Sequence, residues 1–232
     1  MLIGNLDLDT VRIITAISML AVASFLDIRK REINDILWIG FGAVAFVMIF
    51  VSGDIWSTLR TTGVAMIITP IALVVWRLGI FGGADAFCLI ALGALAPMAS
   101  IYGSMVTPIT TLTNAAILSI VPLFVNLGRN LFAMSKKEEI FKGFDETRLN
   151  KVIAVFVGYR AKSPKYGFSI EKTEGNKKRL DLGFRHAENT QFCTESETWI
   201  TPGIPYIIYI AGGFVIQIFY GDIIVNLVRS IH

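Results

Sequence analysis

The sequence predicts an all-α polytopic membrane protein: six transmembrane helices, with a small cytoplasmic α+β domain inserted between the fifth and the sixth. Three observations carry that reading. Hydrophobic residues make up 54% of the 232 and charged residues only 17%. The apolar residues come in long blocks rather than in the short periodic clusters of a soluble core. A single long polar stretch, residues 135–201, interrupts them.

A bilayer span takes about 20 predominantly apolar residues. On that ruler the spans are Val11 to Leu26, Ile36 to Ser52, Trp56 to Leu78, Asp85 to Met98, Thr113 to Met134 and Ile204 to Val228. No charged n-region, h-region and small-residue cleavage site opens the chain, so the first segment is expected to stay as a span. The fourth stops at Pro97 and resumes through Ile101 and Tyr102, which predicts a short or distorted helix. The domains follow: 1–134 for spans one to five, 135–201 for the soluble domain and 202–232 for the sixth span.

Lys and Arg collect in short cytoplasmic loops. The first loop, DIRKREIND, holds Arg29, Lys30 and Arg31, the third turn holds Arg77, and the insertion holds a large share of the remaining basic residues. The second loop, Gly53 to Ile55, and the fourth, Ala99 to Leu112, hold none. Odd-numbered loops are therefore expected inside and both termini outside, with Arg12, Arg60 and Arg229 the minority against it. Topology accounts for the net charge of +3, so no nucleic-acid partner is expected.

The insertion has the size of a marginally stable domain. Asp145 is placed to cap a helix through FDETRLNKVIAVFVGYR, and YGFSIEK and RLDLGFR, separated by TEGNKK, read as a β-hairpin. The run VIAVFV is too short to span and is expected to pack on the hairpin or the membrane surface. Cys88 lies in an apolar run and Cys193 in a polar one, so the two are not expected at the same depth.

Two carboxylates stand out. Asp27 ends the first span and Asp85, in FGGADAFCLIALGALAP, begins the fourth, and the loop alternation puts both at one face. An ionised Asp in a bilayer costs roughly 2.5 to 3.5 kcal/mol on insertion scales, so it needs a partner, water or a task. Asp54 and Asp222 fall toward the other side, while Glu32 and Asp35 have basic neighbours in the first loop. Two aspartates brought to about 3 Å share one proton and titrate apart. The ionised member then takes a proton from water while the protonated one polarises a scissile carbonyl, with no metal or covalent nucleophile. Gly82 and Gly83 free the backbone for unusual dihedrals or for the close approach of a substrate strand. Plainer roles stand beside these: a Gly-Gly turn, an N-cap or helix-dipole partner in Asp85, and a loop-edge ion pair for Asp27.

The combination of DIRKREIND after the first span and GGAD opening the fourth resembles the type IV prepilin peptidase family, in particular its archaeal preflagellin peptidases, which belong with the GxGD aspartic proteases. The resemblance implies Asp27 and Asp85 as catalytic carboxylates and Gly82, Gly83 and Ala84 as the substrate-binding motif, without cofactor or metal. Ala84 departs from strict GxGD, where a second Gly would stand. The resemblance also implies substrates: preflagellin or pilin-like precursors with a short basic leader, cut at the cytoplasmic face of the cell membrane. No cysteine-rich methyltransferase domain is present, which implies peptidase activity without methylation. TPGIPYI, Thr201 to Ile207, is a further point of likeness: its proline pair opens the last span, where the resemblance implies a part in shaping the active-site rim and a plain helix start is the other reading. Glu138, Glu139, Asp145 and Glu146 are placed either to attract a basic leader or to form an ordinary solvated face. The alternative function is a small ion-coupled transporter or channel using the same carboxylates. A non-enzymatic anchoring subunit would need neither.

Overall fold

The computed structural model describes residues 7–99, 106–175, 177–183 and 190–231. From the N-terminus run α1 (Leu8–Lys30), α2 (Ile36–Val51), α3 (Ile55–Ala65), α4 (Ile68–Arg77), α5 (Gly83–Leu95) and α6 (Thr107–Leu118). They are followed by α7 (Val121–Ser135), α8 (Arg148–Val157), β1 (Tyr159–Ala161), β2 (Gly167–Ser169), β3 (Glu171–Glu174), β4 (Lys177–Leu180), β5 (Thr198–Pro202), α9 (Tyr206–Phe219) and α10 (Ile223–Ile231). Contacts divide the chain into two units, Met1–Leu118 with Pro205–His232, and Ser119–Ile204.

Three helical stretches are long and apolar enough to cross a membrane: Leu8–Lys30, Ile55–Arg77 and Thr107–Ser135. The pair α9 and α10, bent by 48°, makes a fourth if it is one span. The second and fourth expected spans correspond to shorter apolar helices, Ile36–Val51 and Gly83–Leu95. The chain is thus a mostly helical membrane protein with a small strand-bearing region toward its C-terminus.

In the first unit α5 is the central helix. Asp85, Ala86, Cys88, Leu89, Ala91, Leu92, Gly93 and Leu95 are all buried, as expected of a helix that is apolar all round. It packs against α1, α2, α4 and α9. Its 13 residues reach only about 20 Å at about 1.5 Å each, short of a hydrocarbon core of about 30 Å. The helix stops where expected, because the residue before a proline is driven out of the α region: Ala96 has φ −134° and ψ 67°. The resumption expected through Ile101 and Tyr102 lies outside the described residues. By contrast α2 shows Ile36, Ile39, Phe46, Val47, Phe50 and Val51 on the surface, an apolar face that suits lipid rather than water.

The segment read as the sixth span is two helices. Gly221 has φ 87°, and Asp222 accepts the Ile224 and Val225 N–H groups at 2.9 and 3.0 Å, capping α10. A hydropathy window reads straight through this break because the residues on both sides are apolar.

In the second unit β5 is the middle strand of an antiparallel sheet of order β1-β5-β2. β3 and β4 form a separate hairpin, in register from Glu171 opposite Leu180 to Glu174 opposite Lys177. A hairpin is therefore present but shifted inward: Thr173, Glu174, Lys177 and Lys178 of the expected TEGNKK connection are paired strand, while Gly167–Ser169 joins the other sheet, in which Phe168 pairs with Thr201. Residues 184 and 185 of RLDLGFR lie outside the described residues. Trp199 is fully buried, stacks on Phe141 at 4.8 Å and donates its indole N–H to the Ile140 carbonyl at 2.8 Å. The VIAVFV helix, α8, is held from α7: Asn126 donates to the Phe156 carbonyl at 3.1 Å, and Asn130 donates to those of Val155 and Gly158 at 2.9 and 2.8 Å.

The cap of α8 differs from expectation. Thr147, not Asp145, accepts the Asn150 N–H, at 3.2 Å: α8 begins at Arg148, so Thr147 is its N-cap, and Asp145, two residues earlier, pairs with Lys177 at 2.7 Å. Thr147→Ala is expected to destabilise this unit by about 0.5–2 kcal/mol, whereas Asp145→Ala, at an exposed pair, is expected to leave the thermal unfolding midpoint unchanged.

Glu146 has a pH-linked role. Burial pushes its pKa up, but N–H groups from Leu180 and Thr147 and the Asn150 amide outweigh that and hold it below the ordinary glutamate value of 4.5. A depressed folded-state pKa contributes stability that is complete above 4.5 and is lost as pH falls through the lower, folded value. Thermal unfolding between about pH 5 and 3 should therefore show a steeper loss for the parent than for Glu146→Gln.

Candidate active site

The last turn of α1, the first turn of α5 and the first turn of α9 meet at one end of the first unit, since these three helices pack pairwise. Phe81, just before α5, and Tyr206, opening α9, bring their rings to 5.0 Å, and Tyr206 lies 6.0 Å from Tyr209. This end carries both aspartates singled out from the sequence.

Asp85 is buried, 9% exposed, and is the third residue of α5. Its Oδ2 accepts the Gly82 N–H at 3.0 Å, and its own N–H donates to the Gly82 carbonyl at 3.2 Å. The carboxylate thus satisfies one of the N–H groups left without a partner at a helix start and sits in the favourable field of the helix N-terminus. Asp27 is half-buried. Its carboxylate faces the Ile207 N–H in the first turn of α9 and feels the charge of Arg31. Arg31 itself terminates α1 in the left-handed region, φ 58°, its N–H donating to the Asp27 carbonyl at 3.1 Å. The sequence-predicted pair is therefore brought to one end of the bundle, each member beside a helix N-terminus.

The glycine motif behaves differently from a strained turn. Gly82 has φ −77° and ψ 160°, open to any residue, and a Cβ there would lie 3.5 Å from Asp85 Oδ2, an ordinary contact. Ala84 lies in the first turn of α5 and has no positive φ. The alanine in place of the second glycine therefore carries no backbone strain. What small residues provide here is backbone that no side chain longer than a methyl group covers beside Asp85.

Cys88, which the sequence marks only as lying in an apolar run, also belongs to this site. It is fully buried, one turn along α5 from Asp85, and close enough to both Asp85 and Asp27 to feel their charges. The i, i+3 spacing from Asp85 was the available signal. For the Ile207 N–H the sequence signal is the likeness at TPGIPYI, which ends on Ile207, although nothing local links residues 27 and 207 to each other. Among the described residues no group of three or more His, Cys, Asp or Glu is placed to hold a metal ion.

Residues 14–124 match the type IV leader peptidase family, Peptidase_A24, and residues 150–223 match the archaeal Peptidase A24 C-terminus type II. The preflagellin peptidase of Methanococcus maripaludis is 30% identical over 233 residues, covering 89% of this chain and 94% of that protein. The chain belongs to the type IV leader peptidase family. Two further relatives agree across nearly the whole length. The preflagellin peptidase of Methanocaldococcus jannaschii is 25% identical over 94% of this chain and 97% of its own, and that of Methanococcus voltae is 25% identical over 90% and 94%. The matched leader peptidase region, 14–124, contains Asp27, the 82–84 motif and Asp85.

Proposed function

We propose that this chain is a membrane aspartic endopeptidase that removes the short basic leader from preflagellin or pilin-like precursors at the cytoplasmic membrane face, with Asp27 and Asp85 as its dyad. The observation that carries the reading is the gathering of these two carboxylates at one end of the α1, α5 and α9 cluster, within the region matched to a leader peptidase family. Water reaches a membrane boundary more readily than a bilayer midplane, and a transport site would be expected nearer the midplane.

In the working enzyme the two carboxyls share one proton. The ionised member takes a proton from water as its oxygen attacks the scissile carbonyl carbon, and the protonated member donates to the carbonyl oxygen. The tetrahedral intermediate collapses when the amide nitrogen receives a proton and leaves as an amine. The Gly82 N–H bonded to Asp85 Oδ2 and the Ile207 N–H facing Asp27 orient the two groups. Gly82, Gly83 and Ala84 offer a backbone beside which an unwound precursor lies as a strand. The remaining parts of the proposal are six spans with both termini outside, a soluble cytoplasmic domain at 135–201, and a reaction without cofactor.

The test is incubation of the detergent-solubilised chain with a preflagellin-like precursor, read as the shift of the cut product and its new N-terminus. A single cut after the basic leader is the expected result. No cut of several precursors by a folded protein, together with proton flux into proteoliposomes, would replace this reading with a transport one.

A further inference from the structure

The membrane unit has a second polar site, at the end opposite the aspartates. Arg12 and Asp27 are separated by about 22 Å along α1 at about 1.5 Å per residue. A cavity of about 250 Å³ opens there between the first turns of α1 and α3 and the chain leaving α5. Arg12 lines it with a side chain only 6% exposed. Its Nε and Nη2 have no hydrogen-bond partner among the described residues. An arginine near a membrane helix end ordinarily extends its head group to water, and this one is buried instead.

The surroundings do not neutralise it. Asp9, one turn earlier, is exposed and near enough to act on the guanidinium, yet no ion pair joins the two among the described residues. Ser57, Thr58 and Thr61 of α3 also line the cavity. Thr61 turns its hydroxyl to the Ser57 and Thr58 carbonyls at 3.1 and 3.0 Å, and Asp54 already occupies the Ser57 N–H at 3.1 Å. Among the described residues, the guanidinium Nε and Nη2 and the Ser57 and Thr58 hydroxyls remain as side-chain donors lining the cavity. A guanidinium stays charged in a protein and pairs through its planar fork with oxyanions, and a buried charge left unpaired is strongly unfavourable. The volume exceeds the roughly 30 Å³ share of one water several-fold, so a polyatomic anion fits.

We propose that this cavity binds a phosphate-type oxyanion, held by Arg12 with help from the Ser57 and Thr58 hydroxyls. Asp9 weakens the diffuse field, so the anion must bond the guanidinium directly. Its position at the end of membrane-spanning helices makes a phospholipid head group one source, and free phosphate is the other.

Native mass spectrometry of the detergent-solubilised full chain separates these. The probes are a phosphatidylglycerol, a diacylglycerol with the same chains, and inorganic phosphate, each applied to the parent, Arg12→Gln and Arg60→Gln, the last on an exposed α3 position. The parent and Arg60→Gln are expected to retain the phospholipid about tenfold over the neutral lipid, and Arg12→Gln to lose that preference. Heat protection by inorganic phosphate alone, in the parent and not in Arg12→Gln, would support the site and assign it to the free ion. Equal retention by Arg12→Gln and the parent, or neither lipid preference nor phosphate protection in the parent, would overturn the proposal. Should Arg12→Gln not fold, Arg12→Lys keeps the charge and loses the fork. It should hold the phospholipid several-fold less well, and unchanged retention there would also overturn the proposal.

Discussion

Replacing either Asp27 or Asp85 with asparagine is expected to lower precursor cleavage by about 10²- to 10⁴-fold, the usual contribution of a positioned acid or base. The asparagine change is the informative one. At residue 85 the amide oxygen can still accept the Gly82 N–H now bonded at 3.0 Å, so the start of α5 keeps its partner while the titratable group is gone. Asp85→Ala removes both and confounds lost chemistry with a loosened helix end, about 0.3–1 kcal/mol for a charge at that position. At residue 27 the amide oxygen can still face the Ile207 N–H. Cleavage should therefore fall by that factor while circular dichroism and the unfolding midpoint stay close to the parent. Two well-folded asparagine variants that still process precursor at the parent rate would remove the dyad from the mechanism.

A larger structural effect is expected at Gly213. A Cβ on this residue would lie 2.5 Å from the Thr111 carbonyl oxygen and 2.8 Å from the Ala115 nitrogen. Both are backbone atoms of α6 and cannot turn aside. Small residues permit such close helix approach in membranes, where packing rather than hydrophobic exclusion drives association. The approach also aligns a buried polar network. Thr111 donates to Gln217 Oε1 at 2.7 Å, Gln217 donates to the Ala99 carbonyl at 2.7 Å, and Asn114 donates to the Gly213 and Gly221 carbonyls at 3.3 and 3.0 Å. Separating α6 from α9 would strand these groups without water. Gly213→Ala is expected to cost about 1–3 kcal/mol, and Gly213→Val more. Gly63→Ala in α3 is the control: nothing lies within 4 Å of its Cβ position, so it should be neutral or stabilise by up to about 1 kcal/mol. Unfolding midpoints in detergent decide the matter, and equal effects at 213 and 63 would show that the tight crossing does not limit stability.

The sequence alone was enough for features whose causes are local. Long apolar blocks marked helices of the membrane unit and Pro97 marked the end of α5, while the positions of Asp27 and Asp85 at the ends of their segments led to the expectation of one shared face. Hairpin chemistry around Gly175, φ 64°, was legible for the same reason. What only the tertiary structure decided involves partners distant in the chain. Asp145, expected to cap α8, lies two residues before the N-cap Thr147 and pairs instead with Lys177 of the hairpin. The last apolar segment divides at Gly221 and Asp222, where Asn114 Oδ1 accepts the Ile223 N–H at 3.1 Å, a bond no hydropathy window registers. Arg12 looked like a charge on the minority side of the topology and is instead buried against a cavity. Periodicity and composition record which residues avoid water, whereas the partner that satisfies each buried polar group is set by which helices meet, and that is a property of the folded chain.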